Sequence, residues 1–505
     1  MNVYRIQSVY INREHPLFAW CETITAMANN LSNACRFRQR QILTAYQKDQ
    51  DDWTDNERSV IDEFCSALDQ PGISGVPLCP SFRTMDAVLK YHQNPDYYAE
   101  GLPRQSAQNV LKQTVNDMNS YFAALRSWKE HPELFTGKPE LPGYKKKGGH
   151  TAVSITNQDC TIKTDQNGVC MAGLPLIKKV PLCIGHPAGT LKQAQVCPDN
   201  GQYVIRFTFE VEMSDPVSKE IPSRITAIDF GVDNLMAVTN NCGLPCLLYK
   251  GGIVKSVNRL YNKKLADIMA REMAKPDCPK NKEGKTKFVP TEESRALTLK
   301  RNHKIMDFMH KAAKHFVTWC VEHRIDTVVA GKNAGWKQKS GMGRTNNQNF
   351  VQIPFSYLEH CISYLCEAQG IRFVQQEESY TSKASFLDQD NIPAYGKTDE
   401  KAVFSGRRCP TKYKGMYKKN GFRGLYQSSD GTIINADLNG SANILRKAFP
   451  DAFKTGMMPD FNCCLIIRNP EDEDIIANRQ KQMAHPRPTV ISHSKAKRLS
   501  KQICA

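Results

Sequence analysis

The sequence predicts a multidomain α/β protein, and three observations lead there. At 505 residues the chain has room for roughly three or four domains of about 150 residues each. Its first half passes from long helical stretches into runs that alternate like strands. Its second half opens with three consecutive strands and then alternates helix with strand. Hydrophobic residues make up 40% of the chain, which excludes collagen-like and wholly disordered classes. No apolar run reaches about 18 residues, so no membrane partner is expected. The opening MNVYRIQSVYINREHP lacks the apolar stretch of a secretory signal. Lys and Arg number 68 against 51 Asp and Glu, and the net charge of +17 points to a polyanionic partner, nucleic acid above all. The 18 cysteines contain no CxxC pair, so reduced thiols are expected rather than disulfides or a zinc site.

Taken in order, residues 3–11 alternate as a strand. A helix follows over about 16–47, with Leu17, Ile24, Met27, Leu31 and Leu43 as its apolar residues. Arg36, Arg38 and Arg40 cluster near its end. A second helix over about 106–128 repeats Val110, Leu111, Val115, Met118, Phe122 and Leu125 at helical spacing. Residues 137–150, GKPELPGYKKKGGH, read as a linker. From 151 to 213 the pattern is of strands, clearest in YVIRFTFEVEM at 203–213. There Tyr203, Ile205, Phe207, Phe209 and Val211 face one way and Arg206, Thr208, Glu210 and Glu212 the other. A small β-barrel is the closure expected of such strands.

After Pro222 the strand RITAIDF at 224–230 leads to two more at 235–239 and 247–249. Helices over about 254–273 and 292–323, a strand at 326–330, a helix at 355–369 and a strand at 371–375 follow. A loop-rich stretch, 379–434, precedes a last helix at 435–449. This is the element order of an RNase H-like fold. The first three strands pair antiparallel, and the later two arrive through helices and lie parallel to the first. Residues 250–314 hold 17 Lys/Arg and 7 Asp/Glu, a surface for phosphates. Residues 475–505 hold seven Lys/Arg and no acid, and read as a disordered, RNA-touching arm.

Nucleases of this fold gather carboxylates at strand ends and on a nearby helix, because two divalent ions must sit about 4 Å apart. Hard oxygen ligands suit magnesium. Asp229 fits the first place, at the end of an otherwise apolar strand where an unpaired acid is costly. Asp233 fits the turn that follows. Asp437 fits the last place, at the start of the final helix, where an N-cap is the competing reading. For the middle place, the strand at 326–330 runs into GKNAGWKQ, with no acid until Glu359. The next strand ends in Glu377 and Glu378. Adjacent strands lie about 4.8 Å apart, so an acid there reaches the same point. Glu378 is the expected ligand, with Glu377 the alternative.

Several stretches together carry a family resemblance: IDFGVDNLMAVT, GKNAGWKQ, NFVQIPF, EESYTSKASFLD, FSGRR, RGLYQSSDGTIINADLNGSANILRK and the upstream LPGYKKKGGH. They resemble TnpB, the RNA-guided DNA endonuclease family of bacterial insertion sequences, and the related compact type V CRISPR effectors. The likeness is strongest over residues 225–447. It implies a β-barrel wedge domain (1–15 and 137–222) interrupted by a helical recognition domain (16–136). It also implies a RuvC nuclease domain in two parts (223–378 and 435–450). Between them lies an insertion for target nucleic acid (379–434), and a basic tail follows (451–505). A guide RNA, double-stranded target DNA with a flanking motif, and two Mg2+ ions held by Asp229, Glu378 and Asp437 are implied as partners and cofactor. A bacterial, cytoplasmic, nucleoid-associated location goes with them.

Two features depart from many relatives. Many of them carry the middle acid where Gly331 and Lys332 stand; some branches, including the Fanzor relatives, shift it to the next strand, as Glu378 would be. The insertion holds one cysteine, Cys409, where many relatives have a zinc ribbon, so no zinc is expected. Its basic residues, Arg407 and Arg408 among them, are candidates to guide DNA. Other candidate nucleic-acid contacts are Arg36 and Arg40, then Gln105, Gln108 and Lys112 on the second helix. Tyr144, Lys145, Lys146 and Lys147 in the linker, and Trp336 and Lys337, complete the set. Two other functions stay open at this level: a nuclease-dead RNA-guided DNA-binding repressor, and a guide-free RNase H-like nuclease.

Overall fold

In the computed structural model, which describes residues 2–175, 180, 182–212, 222–281, 283–332, 351–393, 403–455 and 457–471, the chain divides into two units, Met1–Met213 and Ser214–Ala505. The first begins with strand β1 (Asn2–Ile11) and continues through helices α1 (Phe18–Ala45), α2 (Asp55–Leu68), α3 (Phe82–Tyr91) and α4 (Arg104–Glu130). One face of α1 buries Ile24, Ala28, Leu31, Cys35 and Ile42 against Phe64, Leu89 and Leu111 of the other three helices. A capping box starts α2: Thr54 accepts from the Glu57 amide while the Glu57 side chain accepts from the Thr54 amide.

Strands β2 (Val153–Thr156), β3 (Thr161–Thr164), β4 (Cys170–Gly173), β5 (Leu182–Gly185), β6 (Thr190–Asp199) and β7 (Gln202–Glu212) complete the unit. They pair as two sheets, ordered β1-β7-β6-β2 and β3-β4-β5. The closed barrel expected from the alternation is not present among the described residues. The four-residue strands β3 to β5 pair with one another, which leaves β1 and β2 as open edges. Both sheets still share one core, with Ile11, Ile155, Ala172, Ile184, Ile205 and Phe207 fully buried.

The second unit is built on a six-stranded sheet. Its strands are β8 (Ile225–Phe230), β9 (Asn234–Asn240), β10 (Pro245–Lys250), β11 (Thr327–Lys332), β12 (Arg372–Glu377) and β18 (Asp460–Ile467). Its order is β12-β11-β8-β9-β10-β18. β8, β9 and β10 pair antiparallel, β11 lies parallel to β8, and β12 lies parallel to β11. Helices α5 (Gly252–Met273), α6 (Glu292–Glu322) and α7 (Phe355–Ala368) make the crossovers. Ile228, Val328 and Ala330 pack with Phe316 and Trp319 of α6 on one face of the sheet. Ile225, Ala227 and Val329 pack with Ile444 and Leu445 of helix α8 (Ala436–Ala448) on the other.

β18 corrects the expectation of a tail from residue 451 onward. It pairs parallel with β10 and buries Leu465 and Ile467. Its short apolar run adds a sheet edge before the basic composition begins. The rest of the expected arm lies outside the described residues. Among its described residues the insertion holds short pairings, β13 (Arg407–Arg408) with β16 (Leu425–Gln427), β16 with β17 (Ile433–Asn435), and β14 (Lys412–Tyr413) with β15 (Met416–Tyr417). No helix among the described residues is long and apolar enough to cross a membrane.

Candidate active site

Side chains alternate along a strand, so Ile225, Ala227 and Asp229 share the face that packs on α8. Asp229 lies at the far end of β8, half-buried, opposite Ala237 of β9. α8 comes close there because its third turn-facing position is a glycine: a Cβ on Gly440 would stand 2.6 Å from Asp229 Oδ2. Buried hydroxyls fix the approach. Ser441 Oγ donates to the Ala227 carbonyl at 2.8 Å and lies 2.9 Å from Thr239 Oγ1.

Asp437 is in the first turn of α8, three residues before Gly440, and so on the same side. It is not the N-cap. Asn435 fills that role, accepting from the amides of Asp437 and Leu438 at 2.9 and 3.2 Å. The Asp437 carboxylate is left for other contacts. Its Oδ2 accepts from Asn234 Nδ2 at 2.7 Å, and Lys250 Nζ donates to Asn234 Oδ1 at 2.6 Å. Its Oδ1 pairs with the Arg408 guanidinium at 3.2 Å.

Glu378 follows β12. Gly331 of β11 pairs with Gln376, two residues earlier, so both project to the α8 face. A Cβ on Gly331 would lie 2.6 Å from Glu378 Oε2 and 2.7 Å from Ile444 Cδ1. The absence of a side chain at Gly331 thus leaves the space that the Glu378 carboxylate occupies. Glu377 is engaged elsewhere. Its Oε2 pairs with Lys447 Nζ at 2.7 Å and its Oε1 accepts from the Ser379 amide at 2.7 Å. Burial works against its charge, but these hydrogen bonds hold its carboxyl below the usual range.

Asp437 and Glu378 both act on Asp229. Burial first, then the charges of Asp437 and Glu378, push the Asp229 carboxyl well above the usual carboxylate range, with Arg408 pulling the other way. No group of three or more His, Cys, Asp or Glu among the described residues is set to hold a metal ion as it stands. The donor chemistry nonetheless fits a hard divalent cation. Three carboxylates oppose one another's charge, and two glycines leave room for two of them.

The remaining candidates fall in several environments. Arg36 is 4% exposed and is held by Asp117 and Gln39. Burial lowers its pKa, so it is a cation between helices and not a surface contact. Arg40 is half-buried, donates to the Pro142 carbonyl at 3.2 Å and lies over the Tyr144 ring. Gln105 bonds to Gln158 and Thr156, and half-buried Gln108 lies beside Tyr97. Lys112 is exposed over the Phe82 ring. Tyr144, Lys145, Lys146 and Lys147 are all exposed. Asn33 bonds both the amide and the carbonyl of Lys145, and Asn29 bonds the Lys146 carbonyl, so α1 fixes the backbone while the ammonium groups face solvent. Lys112, Lys145 and Lys146 border a polar groove of about 830 Å³, which Asn29, Asn109, Gln113, Gln193 and Gln195 also line. The asparagines and glutamines of this groove carried no signal in the sequence; Lys112 and the YKKKGGH run did. Arg407 and Arg408 are exposed on β13. Trp336 and Lys337 lie outside the described residues.

Residues 208–337 match the family model OrfB_IS605, described as a probable transposase. The TnpB-like protein ORF457 of Acidianus two-tailed virus is 23% identical over 235 residues, 46% of this chain and 43% of that protein. The match therefore spans less than half the length of that curated relative. Among solved structures, a Cas12f1–sgRNA–target DNA complex is 12% identical, covering 88% of this chain and 98% of that one at a TM-score of 0.31. A Cas12i1 R-loop complex before target DNA cleavage is 10% identical, covering 86% and 66% at a TM-score of 0.38. The Alicyclobacillus acidoterrestris C2c1 with single-guide RNA is 8% identical, covering 86% and 70% at a TM-score of 0.35. At such scores these structural likenesses carry no argument. The family match and the viral relative bear out the resemblance read from the motifs: residues 208–337 are similar to OrfB_IS605, and about half of the chain is similar to a TnpB-like protein.

Proposed function

We propose that the chain is an RNA-guided, Mg2+-dependent DNA endonuclease with a single RuvC site of RNase H-like topology. The observation that carries this reading is that α8 brings Gly440 against Asp229 while Glu378 stands over Gly331 on the neighbouring strand, near enough for Asp437 and Glu378 to act on the Asp229 carboxyl. The strand order supports it, with three antiparallel strands followed by two parallel ones. The proposed nuclease domain takes residues 223–378 and 435–450, and β18 joins it. Residues 1–15 and 137–222 form the wedge, 16–136 the recognition domain, and 379–434 the insertion.

Asp229, Glu378 and Asp437 would hold two Mg2+ ions, which when bound activate water for in-line attack and stabilise the leaving oxygen, giving a 5′-phosphate. The protein's own groups prepare for this. Asn234 orients Asp437 from one side, with Lys250 behind it. Arg408 bonds Asp437, and its guanidinium would pass to a substrate phosphate. One site cuts the two strands in turn.

The guide supplies sequence recognition by base pairing, and the protein reads duplex shape and a short flanking motif. Lys112 on α4 is the proposed contact for that flanking duplex, and Lys145 and Lys146, on the same polar groove, the proposed contacts for the RNA backbone. The test is a cleavage assay with the RNA that co-purifies. Mg2+-dependent scission that Asp229→Ala abolishes supports the reading. Binding without scission would leave a repressor, and scission without RNA a guide-free nuclease.

A further inference from the structure

α8 carries a second polar stripe, and it faces the segment that holds Glu378. Asn439, Asn443 and Lys447 are spaced four residues apart, so they stack along one side of the helix. Asn439 Nδ2 donates to the Ala384 carbonyl at 2.8 Å, and its Oδ1 accepts from the Phe386 amide at 3.0 Å. Asn443 Nδ2 donates to the carbonyls of Thr381 and Ala384 at 2.9 and 2.7 Å. Lys447 Nζ reaches Glu377 Oε2 at 2.7 Å and the Ser379 carbonyl at 3.1 Å. Every one of these bonds lands between residues 377 and 386, the irregular turn after β12. Both asparagines are fully buried, so their bonds do not compete with water.

The turn needs holding. Tyr380, two residues past Glu378, has φ of 67°, a left-handed conformation unfavourable to a residue with a Cβ. Such a conformation persists only where its surroundings fix it. A glutamate at position 331 would sit within β11, whose ladder pairs that position with Gln376 of β12. Glu378 stands instead at the mouth of a strained turn, with its carboxylate above Gly331.

We infer that Asn439, Asn443 and Lys447 are positioning residues: they clamp the turn at 377–386 so that the Glu378 carboxylate stays over Gly331, beside Asp229. The stripe is the counterpart of the vacant position at 331, because it does for a glutamate beyond β12 what the sheet does for one on β11. The inference rests on the nuclease reading for the role of Glu378, and adds what places it.

The test uses the full chain and reads Mn2+ binding by electron paramagnetic resonance. Lys447→Met is expected to weaken Mn2+ binding about 10- to 100-fold, the scale of lost support around a metal ligand. The Mg2+ concentration for half-maximal cleavage should rise by a similar factor, with bound RNA and thermal midpoint little changed. Lys447→Arg, which keeps a donor for Glu377, should restore most of the affinity. Moving the acid with Gly331→Glu and Glu378→Gly should remove the sensitivity to Lys447→Met. An unaltered chain that binds no Mn2+ would overturn the site itself and this inference with it. Mn2+ binding equal in the unaltered chain and in Lys447→Met would overturn the clamp alone. So would equal sensitivity to Lys447→Met after the acid is moved, since Lys447 would then serve folding and not Glu378.

Discussion

Glu377 and Glu378 are adjacent in sequence and differ in surroundings. The first is tied to Lys447 and the Ser379 amide, and the second interacts with Asp229. Glu378→Gln should therefore lower cleavage on the order of 10³-fold, the equivalent of about 4 kcal/mol at the transition state. Glu377→Gln should lower it by less than about 10-fold, measured in single turnover at saturating Mg2+. Equal losses in the two variants would contradict the assignment. Asp229 stands out in the sequence because it interrupts an apolar strand at its end, and Asp437 because it opens the last helix. What the sequence could not display was contact across long separations. Arg408 reaches Asp437 only because β13 pairs with β16, and Gly331 makes room for Glu378 only because β11 and β12 lie in one register. Arg36 misled for the same reason: its partner, Asp117, lies on another helix.

Among the elements, the strongly periodic ones were readable, including the long helices of both units and the strands flanking Asp229. α2 and α3 were not, although Thr54 and Glu57 spell a capping signature. The charged bond from Lys48, with the Thr54 bonds, holds the Glu57 carboxyl down at about 2 despite its burial. A carboxyl lowered on folding stabilises the native state above its unfolded value of about 4.3, and that stabilisation fades as pH falls toward about 2. Glu57→Gln should cost about 1–2 kcal/mol at pH 7, read by urea melts, and its difference from the unaltered chain should shrink below about pH 4. A difference independent of pH would contradict the charged cap. β18 was hidden by the basic tail behind it. Because Ile467 is 1% exposed against Tyr249 and its neighbours, Ile467→Ala should cost about 2–4 kcal/mol, whereas a residue in a solvated tail would change stability by less than about 0.5 kcal/mol. The barrel reading failed because alternation reports which face is buried and not which strand lies beside which.

At the scale of the whole molecule, charge was the most readable property and its distribution the least. The +17 excess points to a polyanion, and the YKKK run, whose backbone is fixed by Asn29 and Asn33, is the proposed contact for part of it. Replacing Lys145, Lys146 and Lys147 together by Ala should weaken RNA binding and flatten its log–log salt dependence by about 2, at about 0.7 per single-strand phosphate contact. An unchanged slope would place the contacts elsewhere. The central claim is that three acids at one sheet end cut DNA chosen by a bound RNA. Its most direct test is to purify the full chain with its RNA, sequence that RNA, and offer a matching DNA duplex with Mg2+ or with EDTA. Scission only with Mg2+, only of the matching duplex, and lost in Asp229→Ala is the expected result. Scission that persists in Asp229→Ala, or that ignores the RNA sequence, would contradict it.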